Sequence, residues 1–126
     1  MAIGSRALRR EWIGIHQSGQ REAAGKVFNF FTRLLTGLDF RDTQCGFKVF
    51  RREAAHTIFA AQRINRWGFD VEALFIAQKH RLSVRQTAVF FRYDEEPTTV
   101  RFAQSAFTMA TELLKIRVND WRGRYD

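Results

Sequence analysis

Asp42-Thr43-Gln44-Cys45-Gly46-Phe47-Lys48-Val49-Phe50-Arg51 is a small polar turn that runs into a short β-prone segment. On its residues alone, Asp42 reads as a turn aspartate that bonds its own backbone, or as an acid placed for chemistry. Upstream of the turn, Ala24, Val27, Phe28, Phe31, Leu34, Leu35 and Leu38 recur at helical spacing from residue 21 onward. Gly37 falls near the end of that run, where helices commonly stop. The apolar stripe is expected to be core, with a membrane-interface helix as the alternative. Residues 1–5 read as a strand ending at Gly4-Ser5, and residues 6–20, broken by Gly14 and Gly19, read as a loop.

Downstream, residues 51–59 predict a short helix with Ala54, Ala55, Ile58 and Phe59 inward. After a connector over 63–68, Asp70 is expected to cap a helix that runs to about Lys79, with Val71, Leu74, Phe75 and Gln78 on one side. Residues 82–93 alternate as a strand, with Thr87, Val89, Phe91 and Tyr93 on one side. Residues 94–99, with Pro97, read as a loop. A long helix follows over about 100–117, with Phe102, Ala106, Met109, Leu113 and Ile116 as its stripe. Residues 119–126 form a polar and aromatic tail. The predicted order is β, α, β, α, α, β, α, and three separated strands are few for a self-sufficient sheet.

The 126 residues are 45% hydrophobic and include thirteen Phe, three Trp and two Tyr, enough for one core or part of one. One Pro and eight Gly argue against disorder over the whole length. The apolar runs are short and interrupted by charge, so no membrane-spanning helix is expected, and Met1-Ala2-Ile3-Gly4-Ser5-Arg6 does not read as a signal peptide. One cysteine, Cys45, excludes an internal disulfide or a multi-cysteine zinc site and makes a cytoplasmic location the default. The net charge of +8 points to an anionic partner, whether nucleic acid, an anionic membrane surface or phosphate groups, or to a merely soluble basic surface.

No glycine-rich phosphate loop, no histidine pair at metal-ligand spacing and no Asp-x-Asp occurs. His16, His56 and His80 are scattered and read as ordinary histidines. The acids of interest are therefore Asp42, Asp70 and Glu72. For the last two, a helix-capping or dipole role competes with a chemical one.

Taken in order, Gly4-Ser5-Arg6, then Asp42 to Arg51, then Trp67-Gly68-Phe69-Asp70-Val71-Glu72-Ala73-Leu74, then a strand ending near Phe91-Arg92, resemble the second half of family 2 glycosyltransferases. They are most similar to polyprenyl- and dolichyl-phosphate sugar synthases of the glucosyl and mannosyl type. Ile116 to Tyr125 is similar to the C-terminus of bacterial members. The resemblance covers essentially all 126 residues.

The resemblance implies an α/β fold: the acceptor-side, C-terminal portion of a glycosyltransferase A-type nucleotide-diphospho-sugar transferase, one partial domain over 1–126 with few strands and flanking amphipathic helices. It implies transfer of a hexose from a nucleotide sugar to polyprenyl phosphate. The nucleotide site and a divalent cation (Mg or Mn) would lie in a preceding half, so no cofactor is expected in this chain and the chain alone is expected to be inactive. Asp42 would line the reaction centre. Asp70 would stand where many members carry a base, although Phe69 replaces the acid before it, so orienting acceptor or sugar is the assigned role. Arg6, Arg21 and Arg92 match acceptor-phosphate positions, a role that the planar guanidinium fork suits. Thr98-Thr99 stands where members often carry Ser-Lys, and His80-Arg81-Leu82 where many have glycine. The implied location is peripheral, on the cytoplasmic face of a membrane, with no nucleic acid partner. A non-enzymatic basic module for nucleic acid or anionic membrane is the competing reading, although no RNP, helix-turn-helix or zinc pattern is present.

Overall fold

The computed structural model describes residues 1–14, 19–92 and 102–126. The elements are β1 (Ala2–Ser5), a 3-10 turn (Arg10–Trp12), α1 (Gly19–Thr36), β2 (Lys48–Val49), α2 (Arg52–Ala61), α3 (Phe69–Lys79), β3 (Arg85–Ala88) and α4 (Phe102–Trp121). Their order is the one the sequence predicts, with the 3-10 turn added inside the expected first loop. The expected loop around Pro97, together with Tyr93, Thr98, Thr99 and His16, lies outside the described residues.

The sheet is three-stranded and mixed, in the order β2-β1-β3. β1 pairs antiparallel with β2 through Ala2 opposite Val49 and Ile3 opposite Lys48. It pairs in parallel with β3, from Ala2 opposite Arg85 to Ser5 opposite Ala88. A single bridge from Ile13 to Phe91 continues the parallel pairing past the strand ends. β1 is thus the central strand, and its C-terminal end delivers Arg6 beyond the sheet. Gly4 makes this possible: a Cβ there would meet Val89 Cγ1 at 2.9 Å and Cys45 Sγ at 3.0 Å. Its N–H also donates to the Phe47 carbonyl at 2.8 Å, which draws the Asp42–Phe47 turn alongside β1.

α3 is buried on every side. Val71 through Ala77 are all buried, against the expectation of one inward face. A helix buried around its whole circumference, apolar but for Glu72, belongs at the centre of a core, and Ile3, Leu38, Ile58, Ile64, Leu113 and Ile116 pack around it. The N-cap of α3 is Gly68 rather than Asp70, which falls in the first turn. The cause is Glu112 of α4, whose Oε2 accepts the Gly68 N–H at 2.5 Å and brings a negative charge to the positive end of the helix. A Cβ on Gly68 would meet Glu112 Cβ at 2.9 Å.

Two further expectations are corrected. The apolar stripe of α1 is core only in part: Leu38 is buried and Phe28 and Leu35 pack against the core, whereas Val27, Phe31 and Leu34 are 55%, 49% and 66% exposed, and the buried residues of the helix are Thr32 and Thr36. Small threonines let this side approach the interior closely, while Val27 and Phe31 face the space between α1 and α4. Gly37, at φ +69°, ends the helix in the left-handed conformation that glycine adopts without strain, and Leu38 beyond it is buried. The second correction is at the C-terminus. α4 continues to Trp121 instead of ending near residue 117. The chain then reverses at Gly123 (φ +65°) and places Tyr125 in the core with no exposed surface. Of the predicted α4 stripe, Leu113 and Ile116 are buried, Met109 is half-buried and Ala106 is exposed. Burial, and next the hydrogen bond to Glu72, push the Tyr125 phenol well above its ordinary pKa.

Gly68→Ala is expected to lower stability by about 1–3 kcal/mol through overpacking against Glu112. Gly25→Ala, in mid-helix with open space around it, is expected to raise stability by about 0.5–1 kcal/mol. Urea titrations should show the midpoint moving in opposite directions in the two variants, with the slope unchanged.

Candidate functional site

The loop that carries Asp42 is fastened from three sides. Asn29 of α1 donates its side-chain amide to the Arg41 carbonyl at 3.2 Å. Gln86 of β3 accepts the Arg41 N–H at 3.3 Å. Arg6, at the end of β1, grips the carboxylate itself: Nε donates to Oδ2 at 2.6 Å, Nη2 to Oδ1 at 2.9 Å and the backbone N–H to Oδ2 at 3.1 Å. The Arg6 guanidinium also lies over the Phe91 ring, 5.2 Å from its centroid. The Gln44 N–H donates to Asp42 Oδ1 at 3.3 Å, the local turn bond that the residue types predict.

Asp42 is 8% exposed. Burial pulls its carboxyl upward. The Arg6 hydrogen bonds and charge, with the N–H groups of Arg6 and Gln44, outweigh that and hold it below the usual aspartate value. An ionised, twice-gripped carboxylate is a weak base. It is suited to orienting a substrate group or to electrostatic work rather than to proton abstraction.

Beside this pair lies a groove of about 1020 Å³ between α1 and α4. Its α1 wall is apolar, from Ala24, Val27, Phe28, Phe31 and Leu35, and its α4 wall is Ala106, Met109, Ala110 and Leu113. Arg6, Arg10, Arg21 and Arg41 line it together with Asp42, Thr43 and Gln44, and Trp67 contributes from the link between α2 and α3. Arg10 is ion-paired with Glu22. The arrangement is an apolar trough with a cationic, hydrogen-bonding zone, which suits an amphiphile with an anionic head.

Of the predicted site residues, the groove gathers Arg6, Arg21 and Asp42. Asp70 does not line it; its Oδ1 meets Lys48 Nζ at 3.0 Å, and Lys48, nearly buried, also donates to the Cys45 carbonyl at 2.6 Å. Arg92 is exposed beyond the Ile13–Phe91 bridge and is likewise outside the groove lining. Among the described residues no group of three or more His, Cys, Asp and Glu is placed to hold a metal ion. Asp42 is already engaged by Arg6, so this set does not fit a divalent ion.

Sequence reasoning missed Asn29, Glu112 and Tyr125, and for Glu72 it left a first-turn role and a chemical one open without foreseeing a buried structural one. Glu72 has no exposed surface and accepts the N–H groups of Arg63 and Ile64 at 3.1 and 2.8 Å. The available signal was a carboxylate inside an apolar run: Glu72 within residues 71–77 and Glu112 beside Leu113.

Because the Asp42 pKa is depressed on folding, its contribution to stability is present above the unfolded value of about 3.9. It is lost as pH falls through the lower folded value. Asp42→Asn should therefore cost stability at neutral pH, by about 1–3 kcal/mol. It should also flatten the fall in stability as pH drops below about 4. Denaturant titrations across that range check both.

No protein-family model matches the chain, and no solved structure matches significantly. Among curated proteins, a dolichyl-phosphate beta-glucosyltransferase of Homo sapiens is 39% identical over 126 residues, 99% of this chain and 38% of that protein. One from Dictyostelium discoideum is 39% identical over 90 residues, 71% of this chain and 27% of that protein. One from Saccharomyces cerevisiae is 31% identical over 127 residues, 99% of this chain and 37% of that protein. The chain thus spans less than two fifths of the length of these relatives. Over nearly its whole length the chain is similar to part of the C-terminal half of proteins named dolichyl-phosphate beta-glucosyltransferase, which are family 2 glycosyltransferases.

Proposed function

We propose that this chain is the acceptor side of an enzyme that transfers glucose from a nucleotide sugar to dolichyl-type polyprenyl phosphate. The observation that carries the reading is the groove: apolar walls from α1 and α4 lead to Arg6, Arg21, Arg41 and Asp42. In this reading the isoprenoid tail lies along the apolar walls. Arg21 meets the phosphate, with Arg41 beside it, and Arg92 approaches from outside the groove. Arg6 contributes positive charge while holding Asp42 in place. A phosphate acceptor is already anionic at neutral pH, so positioning and charge stabilisation matter more than a strong base. That agrees with an Asp42 held ionised. Asp70, paired with Lys48, takes an orienting role at one remove. The donor and its divalent ion find no ligand set among the described residues. The 126 residues by themselves are therefore expected to show no sugar transfer, and metal-dependent transfer by the purified chain would overturn this division of labour.

Membrane contact belongs to the same proposal. Among the described residues no helix is long and apolar enough to cross a membrane. Val27, Phe30, Phe31 and Leu34 form one exposed apolar row on α1. Phe107, Leu114, Val118 and Trp121 form another along one side of α4. Lys115, Arg117 and Arg122 flank the α4 row, and no carboxylate falls on that side. Cations beside an apolar row suit a helix lying in the plane of an anionic membrane surface. The anionic cytoplasmic leaflet is the matching one.

Binding of polyprenyl phosphate and of the uncharged polyprenol to the purified chain in detergent micelles tests the acceptor reading. The phosphate form should bind tighter, and Arg21→Ala should weaken it by about tenfold while leaving polyprenol unchanged. Equal affinity for the two lipids would sink the assignment.

A further inference from the structure

Residues 62–68 join α2 to α3 without helix or strand, and Trp67 from this link forms part of the groove wall. Two carboxylates from elsewhere in the fold fasten the link. Near its start, the N–H groups of Arg63 and Ile64 donate to Glu72 Oε2 at 3.1 and 2.8 Å. At its end, the Gly68 N–H donates to Glu112 Oε2 at 2.5 Å. The other oxygen of Glu72 accepts the Tyr125 hydroxyl at 2.5 Å.

Tyr125 is itself fixed in several ways. Its ring meets Phe75 edge-on at 5.8 Å, and Asn119 Nδ2 donates to its hydroxyl at 3.2 Å. His80 Nε2 lies 2.8 Å from its carbonyl, and the neighbouring Asp126 pairs with Lys79 at 2.6 Å. The last turn of the chain and the link that carries Trp67 therefore meet at one buried carboxylate.

We propose that Tyr125 is a positioning residue: it holds the Glu72 carboxylate so that the link, and Trp67 with it, keep their place in the groove wall. A carboxylate that loses the donor on one oxygen is left with a buried acceptor unmet. It relieves this by turning or by drawing in water, and either change disturbs the two N–H bonds on its other oxygen. The effect on lipid binding rests on the acceptor-groove reading, but the effect on Trp67 does not.

The experiment uses the 126-residue chain with Trp12→Phe and Trp121→Phe, both at exposed positions (39% and 76%), which leaves Trp67 as the only tryptophan. Tyr125→Phe is compared with Ile76→Val, which trims a buried apolar side chain of the same core and removes none of these hydrogen bonds. Asn119→Ala, which removes a different donor to the Tyr125 hydroxyl, serves as a milder second variant if Tyr125→Phe does not fold. The readouts are Trp67 emission and its quenching by acrylamide in folded protein, and affinity for polyprenyl phosphate in micelles. Tyr125→Phe should shift Trp67 emission to the red, raise its quenching and weaken lipid phosphate binding by about threefold to tenfold. Asn119→Ala should shift the emission the same way, and Ile76→Val should leave all three readouts unchanged. Trp67 emission unmoved by Tyr125→Phe and Asn119→Ala in folded protein, or moved as far by Ile76→Val, would overturn the proposal. A parent chain with no affinity for polyprenyl phosphate would overturn the acceptor reading, and the emission comparison would still decide the role of Tyr125.

Discussion

The carboxylate of Glu72 is the charge around which the rest of the chain is arranged. It sits on a helix whose neighbours from Val71 to Ala77 are all buried, where an unmet anion is prohibitively costly. Its donors come from two places distant in sequence: the link before α3 and the aromatic turn at residue 125. Satisfying one oxygen brings the connection from α2 under α3. Satisfying the other brings the chain back after α4. Glu112 adds a second tie from α4 to the N-terminus of α3. The core is thus specified by where two carboxylates find N–H and O–H groups as well as by apolar fit.

The groove inherits its rigidity unevenly. One end is fixed by the central strand, because β1 places Arg6 against Asp42, and Asn29 and Gln86 hold the Arg41 backbone beside it. The far walls come from α1 and α4, whose exposed apolar rows adjoin the groove, with Val27 and Phe31 belonging to both wall and row. A polar end held by bonds and an apolar trough held only by packing differ in kind. Head-group recognition depends on fixed directions, whereas a hydrocarbon chain needs only a surface that excludes water.

Element order and type were legible in the sequence, because periodicity and glycine punctuation report local backbone preference. The polar turn at Asp42 and the arginine at the end of the first strand were legible as residues, but their bidentate pairing was not, since 36 positions separate them. The burial of α1 was legible only in part, for Phe28, Leu35 and Leu38, because apolar spacing shows that a face is hydrophobic and not what covers it. The tail after residue 118 was misread for the opposite reason. Arg122, Gly123 and Arg124 give the segment a polar composition, while a single tyrosine with a partner in α3 decides where it packs. Glu72 was legible as an acid of interest, but its donors, in the link before α3 and at residue 125, were not.

The exposed apolar rows on α1 and α4 sit on a molecule of net charge +8, and the two properties set opposite tendencies in solution. Mutual repulsion keeps copies apart when ions are few. At about 0.1 M salt the repulsion reaches only about 10 Å, close to the range at which apolar faces begin to meet. Added salt should therefore make the free chain less soluble rather than more, and a low-ionic-strength buffer or a mild detergent is the medium in which it stays dispersed.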